Sequence, residues 1–88
     1  MNSWTVEFTT AAARQVRKSD PATRRRVVAA LRTLGDDPRG VGTKKLVGLD
    51  DGWRLRVGHH RVLYEIYDGQ VLVLVFRVAH RREVYKNP

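Results

Sequence analysis

The chain has 88 residues, no cysteine, and 17 lysines and arginines against 9 acids, for a formal charge of +8. That length fits one domain over residues 1–88 with a thin core, and the missing cysteine excludes disulfides and thiolate metal sites. The charge favours a polyanionic partner, while the longest apolar run, residues 71–76, is too short for a bilayer and Met1-Asn2-Ser3-Trp4 lacks a secretory head, so no membrane partner and a cytoplasmic location are expected.

Residues 3–9 read as a first strand, because Trp4, Val6 and Phe8 alternate with Ser3, Thr5 and Glu7. Thr9 or Thr10 then caps a helix reaching about Lys18, whose narrow stripe of Ala12, Ala13 and Val16 needs a neighbour. A second helix follows at once. Asp20 suits its N-cap and Pro21 its first position, and Val27, Ala30, Leu31 and Leu34 recur at helical spacing. Gly35 is expected as its C-terminal cap, with Pro38 blocking continuation. The two helices should form a short antiparallel hairpin with arginines on its outer faces, most simply a solvated surface.

Residues 36–42 read as a loop, Lys44-Lys45-Leu46 as a short edge segment and residues 48–52 as a turn. Trp53, Leu55 and Val57 alternate with Arg54 and Arg56; Val62, Tyr64 and Ile66 alternate with Arg61, Leu63 and Glu65. A two-residue turn at His59-His60 would pair Val57 with Val62 and Leu55 with Tyr64. It gathers the apolar members on one face and Arg54, Arg56 and Arg61 on the other, whereas a one-residue slip would bury arginines. Asp68-Gly69 signals a tight hairpin, and residues 71–78, nearly all apolar, read as a central strand. Leu63, Leu72, Leu74 and Phe76 then share the basic face, so part of it is apolar.

The tail adds His80, Arg81, Arg82, Tyr85 and Lys86, and a return along the same sheet would bring His80 and Tyr85 toward Arg54, Arg56 and Arg61. These residue types suit metal-free RNA cleavage, in which the ribose 2′-OH attacks the adjacent phosphate. That reaction needs a base, cations for the transition state and an acid for the leaving 5′-oxygen. Arginine supplies fixed charge, histidine carries protons near neutrality, and tyrosine serves as acid or stacking surface. No metal site, cofactor or nucleotide-binding loop is expected: His59 and His60 are adjacent, and no carboxylate stands at ligand spacing. Each candidate also has a plainer role. Arg54 pairs with Glu65, His80 caps a turn, or Tyr85 packs an edge.

The block Trp53-Arg-Leu-Arg-Val-Gly, the Arg61-Val-Leu-Tyr strand and the ending Val78-Ala-His-Arg-Arg-Glu-Val-Tyr85 resemble the RelE/ParE superfamily of bacterial toxins. Together with the opening strand and its Thr-x-Ala-Ala helix, the resemblance spans essentially the whole chain. It implies an α+β fold: a four- to five-stranded antiparallel sheet, mixed through the N-terminal strand, with an N-terminal helical hairpin on one face. In the RelE branch it implies a ribosome-dependent mRNA endonuclease, with Arg54, Arg56, Arg61, His80, Arg81 and Tyr85 as catalytic residues. Lys44, Lys45, Arg82 and Lys86 would bind RNA. The implied partners are mRNA in the ribosomal A site, ribosomal RNA and a cognate acidic antitoxin. Two departures bear on the base. RelE-like toxins often carry Lys where Arg54 and Arg56 stand, and the loop that holds a Glu in YoeB-like members reads Thr43-Lys44-Lys45-Leu46. His80 is therefore the preferred base and Glu65 the second candidate. The alternatives are a ParE-like gyrase poison and a non-catalytic module of the same fold.

Overall fold

A computed structural model describes residues 3–80. In chain order these form strand β1 (Thr5–Phe8), helices α1 (Thr10–Lys18) and α2 (Pro21–Asp36), and strands β2 (Thr43–Lys45), β3 (Gly52–Val57), β4 (His60–Tyr67) and β5 (Leu72–His80). The helix starts follow from their caps. Thr9 accepts a hydrogen bond from the Ala12 amide at 3.2 Å, and Asp20 accepts from the Thr23 amide at 3.2 Å and its hydroxyl at 2.6 Å. Pro21 opens α2, where its missing N–H costs nothing. Arg24 is more than a solvated surface group: its guanidinium donates to the carbonyls of Arg17 and Ser19 and closes the end of α1. Gly35 is not the cap. It lies buried in the last turn of α2, where its carbonyl accepts from the amides of Ser3 (3.1 Å) and Trp4 (3.0 Å), and the helix ends at Asp36.

The strands form one sheet in the order β1-β5-β4-β3-β2. β1 runs parallel to β5 and the other neighbours are antiparallel, so the sheet is mixed through its N-terminal strand. α1 lies on β5, and α2 reaches β1 and β3, on the same face. Between helices and sheet sits the core: Ala12, Val27, Leu31 and Leu34 from above, and Leu55, Val62, Tyr64, Ile66, Val73, Val75 and Val78 from below. Tyr64 is fully buried, and its hydroxyl donates to the Pro38 carbonyl at 2.7 Å, tying the α2–β2 loop to the sheet. Burial pushes its phenol up to about 12.

Two turns differ from the expected ones. The β3–β4 turn is Gly58-His59, with Gly58 at φ 59°, so Val57 pairs with His60, Leu55 with Val62 and Arg56 with Arg61. The register is displaced by two residues from the expected one, and an even displacement leaves every side chain on its expected face. The β4–β5 link is also longer than a two-residue hairpin. Residues 68–70 form a 3-10 turn, and Val71 adopts a left-handed φ of 51°.

The third difference moves a candidate residue. Tyr64 pairs with Val75 but Leu63 pairs with Arg77, which leaves Phe76 as a one-residue bulge in β5. Beyond it the alternation reverses: Val78 returns to the core, and Arg77 and Ala79 take the cleft side with Leu63 and Arg61. Gln15 of α1 compensates near the irregularity, because its side-chain oxygen accepts the Val78 amide at 2.7 Å.

Candidate nucleic-acid interface

The face of the sheet away from the helices carries the arginines. Period-2 alternation sends Arg54 and Arg56 of β3 and Arg61 of β4 to the side opposite Leu55, Val57 and Val62. Antiparallel pairing then sets Lys44 across from Arg54 and Arg56 across from Arg61. A cleft of about 280 Å³ opens here, walled by Gly42 and Thr43 and lined by Lys44, Arg54, Arg56 and Arg61. Gly42 holds φ 88°, a left-handed conformation that residues with a Cβ rarely adopt.

Like charges placed directly across a sheet repel. Arg61 adds a desolvation cost because it is only 7% exposed. Its Nη1 donates to the His60 carbonyl at 3.1 Å, while its Nε is buried with no hydrogen-bond partner among the described residues. A bound phosphate would offset both costs through charge-assisted bonds to a fork-shaped cation.

Lys45 does not join this cleft. It pairs with Trp53 and takes the opposite face, exposed. His80 does not join it either. The Phe76 bulge places it in register with His60, in the row of Val57, on the helix-bearing face. Its ring lies 5.5 Å from that of His60 and 6.2 Å from that of His59. Glu65 stands opposite Gly52, four rows from Arg61, and Arg54 stands opposite Leu63. Arg81, Arg82, Tyr85 and Lys86 lie outside the described residues. Gly42, Thr43 and Arg77 escaped sequence reasoning: Gly42 and Thr43 lie where the α2–β2 loop enters β2, and Arg77 reaches this side only through a bulge that no alternation pattern announces.

Arg39, in the α2–β2 loop, serves the structure. It makes a two-pronged ion pair with Asp68, at 3.0 and 2.8 Å, and lies 5.7 Å over the Trp53 ring. That guanidinium holds the Asp68 carboxyl below the usual carboxylate range. No three His, Asp or Glu side chains among the described residues are arranged to hold a metal ion.

Comparison with known proteins adds a family to this geometry. A family model described as "ParE toxin of type II toxin-antitoxin system, parDE" matches residues 6–85. Toxin RelG of Mycobacterium tuberculosis (strain ATCC 25618 / H37Rv) is 36% identical over 85 residues, covering 96% of this chain and 98% of that protein. The toxin chain of the RelBE2 toxin–antitoxin complex from M. tuberculosis superposes with a TM-score of 0.77 at 36% identity, over 89% of this chain and 98% of its own. The isolated E. coli RelE toxin superposes with a TM-score of 0.80 at 26% identity, over 96% of this chain and 93% of its own.

Proposed function

The chain belongs to the ParE toxin family of type II toxin–antitoxin systems, within the RelE/ParE superfamily, and from that membership we propose that it is a ribosome-dependent mRNA endonuclease. The observation that carries the proposal is the cleft that sets Arg54, Arg56 and the buried Arg61 beside Lys44. Such a set binds a backbone phosphate and stabilises the charge that grows on it when the ribose 2′-OH attacks. The P–O5′ bond breaks, leaving a 2′,3′-cyclic phosphate and a 5′-hydroxyl. Arg61 contributes most per contact, because a guanidinium shielded from water interacts more strongly with the developing dianion.

The cleft supplies cations rather than proton carriers. We assign Tyr85 to protonate the leaving 5′-oxygen and Arg81 to add charge. His80 is not the base, since its register places it on the opposite face, and the proton of the attacking 2′-OH passes to solvent water as the P–O2′ bond forms. Only RNA carries the attacking hydroxyl, so DNA is spared. The partners are mRNA in the ribosomal A site, ribosomal RNA and an acidic antitoxin complementary to the charge of +8, and the site of action is the cytoplasm. Two crystallised relatives, in the intact E. coli RelBE complex and the M. tuberculosis RelBE2 complex, are held with their antitoxins.

Purified protein added to programmed 70S ribosomes should cut the message at defined positions, with cyclic phosphate at the upstream ends. Intact message at excess protein overturns the proposal. The ParE description of the matching model favours a second reading, a gyrase poison that acts by binding. Inhibition of gyrase supercoiling with message left whole would select it.

A further inference from the structure

One end of the sheet carries a second basic cluster that the cleavage reading does not use. The rings of His59, His60 and His80 converge beside the β3–β4 turn. With Thr23 and Arg26 of α2 and Val57 of β3 they line a cavity of about 150 Å³. Gly58 holds the turn at φ 59°, and the Arg26 guanidinium lies 3.6 Å from the place a Cβ would occupy, an ordinary contact distance. Arg26 and His59 are exposed, so neither ring nor guanidinium is consumed by the core.

The position of this cluster matters more than its composition. Arg56 and Arg61 form one row of the β3–β4 ladder, and Val57 and His60 form the next row toward the turn. Adjacent rows lie about 3.3 Å apart along the strands and present opposite faces. The arginine cleft and the imidazole cavity are therefore back-to-back neighbours, joined around Gly58-His59. A single-stranded polyanion leaving the cleft over that turn meets the second cluster within a few nucleotides.

We propose that the cavity between α2 and the β3–β4 turn, formed by Arg26, His59, His60 and His80, is a second phosphate-binding subsite that holds a backbone phosphate of the same RNA strand. It rests on the RNA-cleaving reading above. Arg26 is the fixed cation, matched to phosphate oxygens by its fork. The imidazole N–H groups of His59 and His60 donate alongside it, and the rings offer stacking surface to a neighbouring base. A carboxylate from an acidic protein has the charge for this cavity. RNA is favoured because the cavity continues a cleft already lined by phosphate-binding groups. The subsite would hold the strand across the turn and fix which phosphate sits between Arg56 and Arg61.

The test uses the purified full chain and two fluorescent single-stranded RNAs, a trinucleotide and one of roughly ten nucleotides, read by anisotropy across a salt series. Arg54→Gln with Arg56→Gln should weaken both RNAs. Arg26→Gln and His59→Gln should weaken only the longer one, by about fivefold to tenfold, and Arg26→Gln should also lower the slope of log affinity on log salt by about 0.7, the loss of one phosphate contact. Arg26→Lys should restore the slope more fully than the affinity. These positions are on the surface, and an unchanged melting temperature will confirm folding.

Wild-type affinity and slope for the longer RNA in both Arg26→Gln and His59→Gln overturn the subsite. So does an equal loss for both RNAs, which signals a general effect on the fold. Unchanged RNA binding with weakened capture of an acidic partner overturns it in favour of a protein contact. If the Arg54 and Arg56 variants bind normally while the Arg26 variant loses slope, the cleft reading fails and the subsite stands as an independent anion site.

Discussion

At the scale of single residues, Arg61 shows how the position of a charge decides its use. An exposed arginine on this face would be one of many, but Arg61 is buried and leaves its Nε without a partner among the described residues. Replacing such a charge with an apolar side chain of similar length is often neutral or stabilising. Arg61→Met should therefore keep or raise the melting temperature while message cleavage falls at least about tenfold, about 1.4 kcal/mol. Tyr85→Ala should lower cleavage on the same scale. Undiminished ribosome-dependent cleavage in both removes these residues from the site. Gln15 is the structural counterpart. Its side-chain oxygen serves the Val78 amide, and Gln15→Leu should cost about 1–3 kcal/mol by leaving that amide unsatisfied. Chemical denaturation reads this directly, and a midpoint shifted by less than 0.5 kcal/mol equivalent, roughly a surface effect, contradicts it.

At the scale of elements, local pattern decided most features and failed at connections. Thr9, Asp20 and Pro21 began helices where their chemistry requires, and strand alternation placed Leu55, Val62 and Tyr64 inside. The Gly58-His59 turn was read one residue late, but parity kept Arg54, Arg56 and Arg61 together. The β4–β5 link was read too short because Asp68-Gly69 is only part of a longer turn that ends on Val71. A β-branched residue at φ 51° is strained by about 1–2 kcal/mol, and asparagine tolerates that region better. Val71→Asn should stabilise the fold by about 1 kcal/mol and raise the melting temperature. A lower melting temperature would show that the turn gains more from the valine side chain than it loses in backbone strain.

At the scale of the whole molecule, two ties bind the α2–β2 loop to the sheet, and each makes stability depend on pH with a definite sign. Burial raises the folded pKa of Tyr64 to about 12, above the ordinary tyrosine value near 10. Its contribution is complete below about pH 10 and is lost as pH rises through about 12, because the unfolded chain releases that proton first. Asp68 is held low by Arg39, so its contribution is present above the carboxylate range and fades as pH falls through the folded value. That pair is exposed, so its effect is small and screened by salt. Melting temperatures across pH should fall steeply at the alkaline end, and Tyr64→Phe should flatten that fall while costing about 1 kcal/mol near neutrality for the lost bond to Pro38. An alkaline limb identical in Tyr64→Phe would assign the effect elsewhere.

Residue order alone determined the succession of elements, the N-terminal helix caps, the buried faces of β3 and β4 and the grouping of Arg54, Arg56 and Arg61. All of these follow from interactions within a few residues or from the two-residue period of a strand. Tertiary structure decided what depends on segments far apart. The Phe76 bulge falls just past Val75, the last β5 residue paired with β1, and it carries His80 away from the arginines and Arg77 toward them. The burial of Arg61 and the tie from Tyr64 to Pro38 likewise arise only when the ladder closes, since no local pattern records which side chains lose contact with water.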